Sequence, residues 1–516
     1  MQPKTYYVTT PIYYVNDAPH IGSMYCTLAA DVMARYKKAQ GYDVKFLTGT
    51  DEHGQKVERA AEASGTDPQA HCDKFAEAFK DVWQLMNFEY DYFQRTTNKD
   101  HMAVVQKIFK KLYEQGDIYK GKYEDLYCTP CETFFTPAQV KDGLCTDCGR
   151  PLEKISEECY FFRQSKYQDK LMAHFDANPE FLTPLSRKNE MVNNFIKPGL
   201  GDLCVSRSTF TWGVPVDFDP GHVVYVWVDA LPNYISALGY LSDDDSDYKK
   251  YWPADLHFVG KEIVRFHTIT WPCILLALGE PLPKRVFGHG WLMVEGQKMG
   301  KSMGNAIDPR VLAAEYGVDA IRYFFLREFT FGQDGNYTKD GLVNRYNADL
   351  ANDLGNLLSR TVGMVDKYFG GTLPNTPDSP TPFCAELKEM ATTMLAKFEE
   401  KMDKLAFSDA LNEAWNLVRR ANKYIDETAP WVLAKDDAKQ AELATVLYNL
   451  AEVLRIMAIV IAPVMPNTPA IIFAQLNITP GEITEWEQAC NFGLLPRVLE
   501  VTKGPAAFPR IEKEKK

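Results

Sequence analysis

The sequence predicts an α/β fold: a Rossmann-type parallel-sheet domain, split by a cysteine-bearing insertion and followed by an all-α helix bundle. Three observations predict it. Residues 5–10 read as a strand, Met24, Leu28, Val32 and Tyr36 then recur every fourth residue, and 44–47 is a second short apolar run. Strand, helix, strand at this spacing is a βαβ unit, whose parallel strands need a crossover helix. That rhythm lapses over 117–220 and resumes at His222, with 223–228 and 256–259 read as buried strands and 263–278 as a helix interrupted by Pro272. From Arg345 onward, segments such as 387–405 and 410–425 carry apolar residues at i, i+3 and i+4, the pattern of packed helices.

The organisation expected is therefore 1–116 and 221–293 as the two halves of the Rossmann domain and 117–220 as the insertion. Residues 294–344 form a loop region, and 345–516 the helical domain with a tail in which the pattern fades after Leu476. The ends of the first helix follow from its residues: it begins near Gly22 and stops at Gly41. Residues 456–481 carry no charge, but Pro463, Pro466, Pro469 and Pro480 make them buried helix ends and loop rather than a membrane span.

Composition narrows the classes. Hydrophobic residues at 46% and charged residues at 24% exclude disordered, collagen-like and coiled-coil chains. With 57 basic against 69 acidic residues the net charge is −12, so the chain is no basic coat for DNA, although one local basic face can still bind RNA. Eleven thinly spread cysteines and a start without an apolar core segment point to a reducing, cytoplasmic setting with no signal peptide and no membrane partner.

The most specific motif is Cys128-x2-Cys131, thirteen residues, then Cys145-x2-Cys148. Two such hairpins can set four thiolates tetrahedrally around one structural Zn2+ and leave no open position for a catalytic water. The other seven cysteines read as inert core residues. Pro19-His20-Ile21-Gly22-Ser23 stands where the first strand meets the first helix, and a helix N-terminus offers unpaired N–H groups to phosphate. Much later comes Lys298-Met299-Gly300-Lys301-Ser302, two lysines three apart in a Gly-flanked loop, suited to clamping a pyrophosphate leaving group.

In this order and this split context, the two motifs resemble the HIGH and KMSKS signatures of the class I aminoacyl-tRNA synthetases, and among them the methionyl-tRNA synthetase family. The resemblance runs from Tyr7 to about Pro469 and includes Pro11-Ile12-Tyr13-Tyr14-Val15-Asn16, Thr50-Asp51-Glu52-His53-Gly54, Tyr225-Val226-Trp227-Val228-Asp229-Ala230, Phe258-Val259-Gly260-Lys261-Glu262 and His289-Gly290-Trp291. Ser23 stands where the first signature ends in His, Gly300 where the second has Ser, and Leu231 where the family carries Pro.

The resemblance implies ATP-dependent activation of methionine and transfer to tRNA(Met), initiator tRNA included, with Mg2+ accompanying ATP. It implies His20, Lys298 and Lys301 as catalytic groups, and Tyr13, His20, Gly22, Ser23, Lys298, Lys301 and Ser302 around ATP. Asp51 takes the methionine ammonium, with Ile12, Tyr14, Trp227, Ala230, Leu231, Tyr234 and His289 around the rest of the amino acid. Asn352, Asn356 and Arg360, spaced four apart on one helical face, and Trp431 read anticodon bases, the amide, guanidinium and indole set that recognises splayed single strands.

An insertion of about 100 residues is too short for the editing domain that Ile, Val and Leu enzymes need, because one methylene discriminates by only about 1–3 kcal/mol. A small-molecule nucleotidyltransferase would have no use for the C-terminal helices, and a non-catalytic zinc-ribbon scaffold none for His20, Lys298 and Lys301. A monomer is the expected state.

Overall fold

A computed structural model describes residues 3–512, apart from 17, 130–132, 136–139, 141, 147–148, 300–303, 376–378, 380 and 382, and for Asp125 the backbone alone. The chain divides into two compact units: residues 1–34, 42–84 and 88–290, and residues 35–41, 85–87 and 291–516. The two Rossmann halves and the insertion thus share the first unit, and the lysine-bearing loop shares the second with the helical region.

In the first unit, β1 (Thr5–Thr9), β2 (Tyr13–Tyr14), α1 (Ile21–Ala39), β3 (Asp43–Asp51) and β4 (Tyr92–Arg95) lead to α2 (Lys99–Glu114). The insertion is a four-stranded antiparallel sheet of β5 (Ile118–Cys128), β6 (Thr133–Phe135), β7 (Glu153–Phe162) and, after β8 (Leu182–Thr183), β9 (Leu203–Cys204), in the order β6-β5-β7-β9. The chain returns through α3 (Val226–Ala230), β10 (Leu256–Gly260), α4 (Trp271–Leu278) and β11 (Val286–His289).

The main sheet is parallel, ordered β2-β3-β1-β10-β11-β8, with β4 beside β3. Buried on both faces, its strands carry near-continuous apolar runs such as Leu256–Gly260. The chain crosses from β1 to β3 on one side and reaches β10 on the other, so the carboxyl end of β1 is the switch point where open α/β sheets take ligands.

Two expectations are corrected here. Residues 223–228 are not one strand: only Val223–Val224 is extended, paired with Ser206–Arg207, and Val226–Ala230 is helical. A short buried apolar run has no periodicity to separate strand from helix. Pro272 does not interrupt its helix either. It stands just after a π-helical turn at Phe266–Thr270 that runs straight into α4, and that change of pitch accommodates the missing N–H within a continuous helix.

In the second unit, β12 (Leu292–Val294) pairs with β13 (Gln297–Lys298) and with β14 (Gly335–Tyr337). The hairpin turn is Glu295-Gly296, with φ of 49° and 79°, the backbone that matches strand twist. The helices α5 (Asn356–Phe369), α6 (Cys384–Asp403), α7 (Phe407–Thr428) and α8 (Gln440–Ile461) follow. The apolar stretch of α8 is long enough to cross a membrane by composition, but it is buried inside the protein.

The expected fading tail is also corrected. Trp486, Ala489, Leu495, Leu499 and Phe508 are buried, and Leu499–Glu500 pairs with Thr372–Leu373. What holds this segment is Arg455, fully buried in α8. It donates to Glu452 Oε2 (2.8 Å) and to the carbonyls of Ile483 (2.8 Å), Gln488 (3.2 Å) and Asn491 (2.6 Å). One guanidinium thus satisfies three carbonyls of a loop that the apolar pattern alone could not hold. Arg455→Ala leaves the buried Glu452 carboxylate without its counter-charge and is expected to cost about 3–5 kcal/mol, read as a shifted denaturant midpoint for the second unit.

Candidate active site

The site grows from the carboxyl ends of β1 and β3. Parallel register sets Tyr13 beside Thr50 and Tyr14 beside Asp51, with half-buried Ile12 just before. Asp51 itself is buried at the last position of β3. The Tyr13 hydroxyl lies 3.1 Å from the Ser23 carbonyl and 2.7 Å from Thr27 Oγ1, and its ring stacks on Phe79. Burial pushes that phenol well above its usual range, so Tyr13 ties the strand to α1 as a neutral group.

His20 sits immediately before α1. Its Nδ1 accepts the Gly22 N–H at 3.0 Å, so the neutral ring carries its proton on Nε2. Ser23 Oγ donates to the His20 carbonyl (2.9 Å) and accepts the His20 N–H (3.1 Å). The Ser23 proton, expected to face ATP, is thereby directed to the local backbone. A ring with a fixed tautomer at a helix N-terminus can donate to phosphate.

The aromatic part of the site centres on α3. Trp227 stacks on Phe266 (centroids 3.9 Å, 6°) and meets the ring of His267 edge-on at 6.2 Å. Ala230 and Leu231 are buried at the end of the same helix. Tyr234 is fully enclosed, with its hydroxyl 2.8 Å from His267 Nε2. His267 Nδ1 donates to the Ile263 carbonyl at 2.9 Å, and burial pushes the imidazole down to about 4, so Nε2 takes the phenol proton.

His289, by contrast, packs edge-on against Tyr25 at 5.7 Å and donates from Nδ1 to the Gly290 carbonyl. The imidazole beside Trp227 and Tyr234 is that of His267, which the sequence reading passed over. Its signal was a polar run, His267, Thr268 and Thr270, buried within an otherwise apolar helix. The π-helical turn that carries it is an uncommon form that recurs at functional sites.

In the insertion, Cys128 and Cys145 are buried in one small cluster with Phe135. Cys145 opens a tight turn: its carbonyl accepts the Gly149 N–H at 2.8 Å, and Gly143 and Gly149 have φ of 70° and 72°. Cys128 and Cys145 are donors of the type that suits Zn2+. Cys131 and Cys148 lie outside the described residues, and among the described ones no three His, Cys, Asp or Glu side chains gather around a metal position. Of the cysteines expected to be core, Cys490 is exposed.

In the second unit, Lys298 is exposed with its ammonium 3.7 Å from the Trp291 ring centre, while Gly300, Lys301 and Ser302 lie outside the described residues. Asn352 and Asn356 are exposed, and Arg360 reaches Asp426 at 2.9 Å. Asn352 falls in a π-helical stretch, Tyr346–Gly355, rather than on the α-helix the spacing predicts. Trp431 is 43% exposed on the short helix Pro430–Leu433.

The folded pKa of His267 lies below its ordinary value, so the unfolded chain binds the extra proton and stability falls as pH drops from about 6.5 toward 4. His267→Gln removes as much as about 3 kcal/mol of that loss, seen as a flatter stability-against-pH curve from denaturant titrations.

Two family models match the chain: tRNA synthetases class I (M) over residues 6–154 and 136–362, and the anticodon binding domain of methionyl tRNA ligase over 376–516. A methionine–tRNA ligase of Caldanaerobacter subterraneus subsp. tengcongensis is 60% identical over 99% of this chain and 80% of its own length. That of Bacillus subtilis is 51% identical over 99% and 78%. The solved structure of Mycobacterium tuberculosis methionyl-tRNA synthetase in complex with methionyl-adenylate superposes with a TM-score of 0.94, at 43% identity over 98% of this chain and 100% of that one. With its split parallel sheet and its C-terminal helices, the chain belongs to the class I tRNA synthetases of the methionyl group.

Proposed function

We propose that the protein is a methionine–tRNA ligase. It joins methionine to ATP as methionyl-adenylate with release of pyrophosphate, then passes the methionyl group to the 3′ end of tRNA(Met), initiator tRNA included, for translation. The observation that carries this reading is that the parallel sheet brings the fixed His20 ring at the N-terminus of α1 and the buried Asp51 that ends β3 to the same edge.

The methionine carboxylate attacks the α-phosphorus, and the bond to the bridging oxygen of pyrophosphate breaks. No protein nucleophile is needed; the chain aligns the reactants and stabilises phosphate charge. His20 donates from Nε2 to a phosphate oxygen, and Gly22 gives the nucleotide close access to the backbone. Lys298, Lys301 and Ser302 hold the leaving pyrophosphate, and Mg2+ bound with ATP adds positive charge.

Asp51 takes the ammonium. Ile12, Tyr14, Trp227, Ala230 and Leu231 enclose the side chain, and the Tyr234–His267 pair gives the apolar wall one polar tip for the thioether, a weak acceptor. We assign this tip to His267 rather than His289. Asn352, Asn356, Arg360 and Trp431 bind the anticodon, supported by the exposure of Asn352, Asn356 and Trp431 on the second unit, with Arg360 half-buried against Asp426.

Pyrophosphate–ATP exchange with each of the twenty amino acids tests the reading: exchange with methionine alone is expected, and exchange with another amino acid overturns the pocket. Lys301→Ala is expected to slow adenylate formation by about 10²-fold or more while methionine affinity by equilibrium dialysis holds.

Cys128, Cys131, Cys145 and Cys148 would hold one structural Zn2+ per chain. Cys128→Ser is expected to lower bound zinc, measured by elemental analysis, and the melting temperature of the insertion.

A further inference from the structure

Three polar side chains outside the roles assigned above meet in the interior of the first unit. Asp229, fully buried, lies in α3 between Trp227 and Ala230. His53 Nδ1 is 2.7 Å from Asp229 Oδ2. His101, on α2, places Nε2 3.0 Å from Asp229 Oδ1 and 3.1 Å from its carbonyl, with Nδ1 2.7 Å from Ser236 Oγ. Burial alone would raise the carboxyl; the adjoining imidazoles of His53 and His101 outweigh it and hold Asp229 below the usual carboxylate range.

The trio joins three parts of the chain. His53 stands two residues past Asp51, on the loop leaving β3. That loop is held from its other side by Trp212, whose Nε1 donates to the Glu52 carbonyl (2.6 Å) and whose carbonyl accepts the Gly54 N–H (3.0 Å). Asp229 belongs to the helix that carries Trp227 and Ala230. Its carboxylate therefore ties the ammonium end of the site to the side-chain end, with α2 as the third support. A buried carboxylate held by two N–H donors is directional and costly to leave without them, unlike an apolar contact that can slide.

We infer that His53, Asp229 and His101 form a brace that fixes the distance between the Asp51 carboxylate and the wall of Trp227, Ala230 and Tyr234, and so selects the length of amino-acid side chain the site accepts. The inference rests on the methionine pocket proposed above. Its logic is general: one methylene is discriminated by only about 10–200-fold at best, and only if the walls do not move apart. These three are positioning residues, since none is placed against substrate.

The geometry supplies its own test, because the two histidines use different ring nitrogens. The amide nitrogen of Asn overlays Nδ1 of a histidine, and that of Gln overlays Nε2. His53→Asn and His101→Gln therefore keep the donor to Asp229, whereas His53→Gln and His101→Asn move it away. Pyrophosphate exchange is measured with methionine and with ethionine, one methylene longer, together with KM for ATP.

The donor-keeping variants are expected within about threefold of wild type. The donor-losing ones are expected to raise KM for methionine about tenfold, to narrow the methionine-to-ethionine ratio about tenfold, and to leave KM for ATP and kcat within about threefold. Four variants that behave alike, or a ratio unchanged in the donor-losing pair, would overturn the brace while leaving the methionine reading intact. Wild-type exchange with a different amino acid overturns that reading, and the brace with it. Ser236→Ala, which removes only the hydroxyl beside His101 Nδ1, covers a donor-losing variant that does not fold. It is expected to narrow the ratio about threefold, and an unchanged ratio overturns the brace.

Discussion

Strand β1 is held between β3 on one side and β10 on the other, and every group assigned to activation within the first unit depends on that placement. Because the neighbours are parallel, all three strands end on the same edge of the sheet. The chain leaving β1 passes through β2 to His20 at the start of α1, the end of β3 carries Asp51, and β10 leads into the π-helical turn that bears His267. Three side chains distant in sequence reach one edge without any of them choosing its position. A slip of one residue between β1 and β3 would turn Asp51 to the opposite face of the sheet.

Where the amino-acid pattern carries a period, it fixes the element. Residues spaced four apart announce α1, and Gly41, with φ of 82°, ends it where a left-handed residue is needed. The helices α6 and α7 are equally legible. Where burial is complete the period vanishes, as at 223–230, and only the partner strand Ser206–Arg207 decides where extended chain gives way to helix. The C-terminal segment was illegible for another reason. Its anchor is Arg455 within an apolar helix, and three carbonyls of irregular backbone have no sequence signature.

The same division runs through the candidate site. His20, Asp51, Trp227 and Tyr234 are legible through the family resemblance of the segments that carry them; taken alone, His20 reads as a turn residue and the aromatics as core. His267 is not legible, because a buried imidazole at low pKa is indistinguishable in sequence from any core histidine. His53, Asp229 and His101 stayed silent likewise: their meaning lies in contacts across 128 and 176 positions, which no local pattern records. Polar groups without local partners are the ones a sequence hides best, and burial then makes them the most expensive to leave unpaired.

The departure at Ser23 takes its meaning from the same accounting. A histidine there would offer a ring to phosphate. Serine instead closes on the N–H and carbonyl of His20, while Gly22 holds the His20 ring at Nδ1. Backbone and side chain of one residue are thus fixed by the two that follow it in the first turn of α1. In the role proposed for this helix end, one donor to phosphate is absent, and the one at His20 Nε2 would be held in place before the substrate arrives. Preorganised donors stabilise developing charge without reorganising at the moment of reaction, so a stiffer His20 offsets part of what the missing ring would contribute.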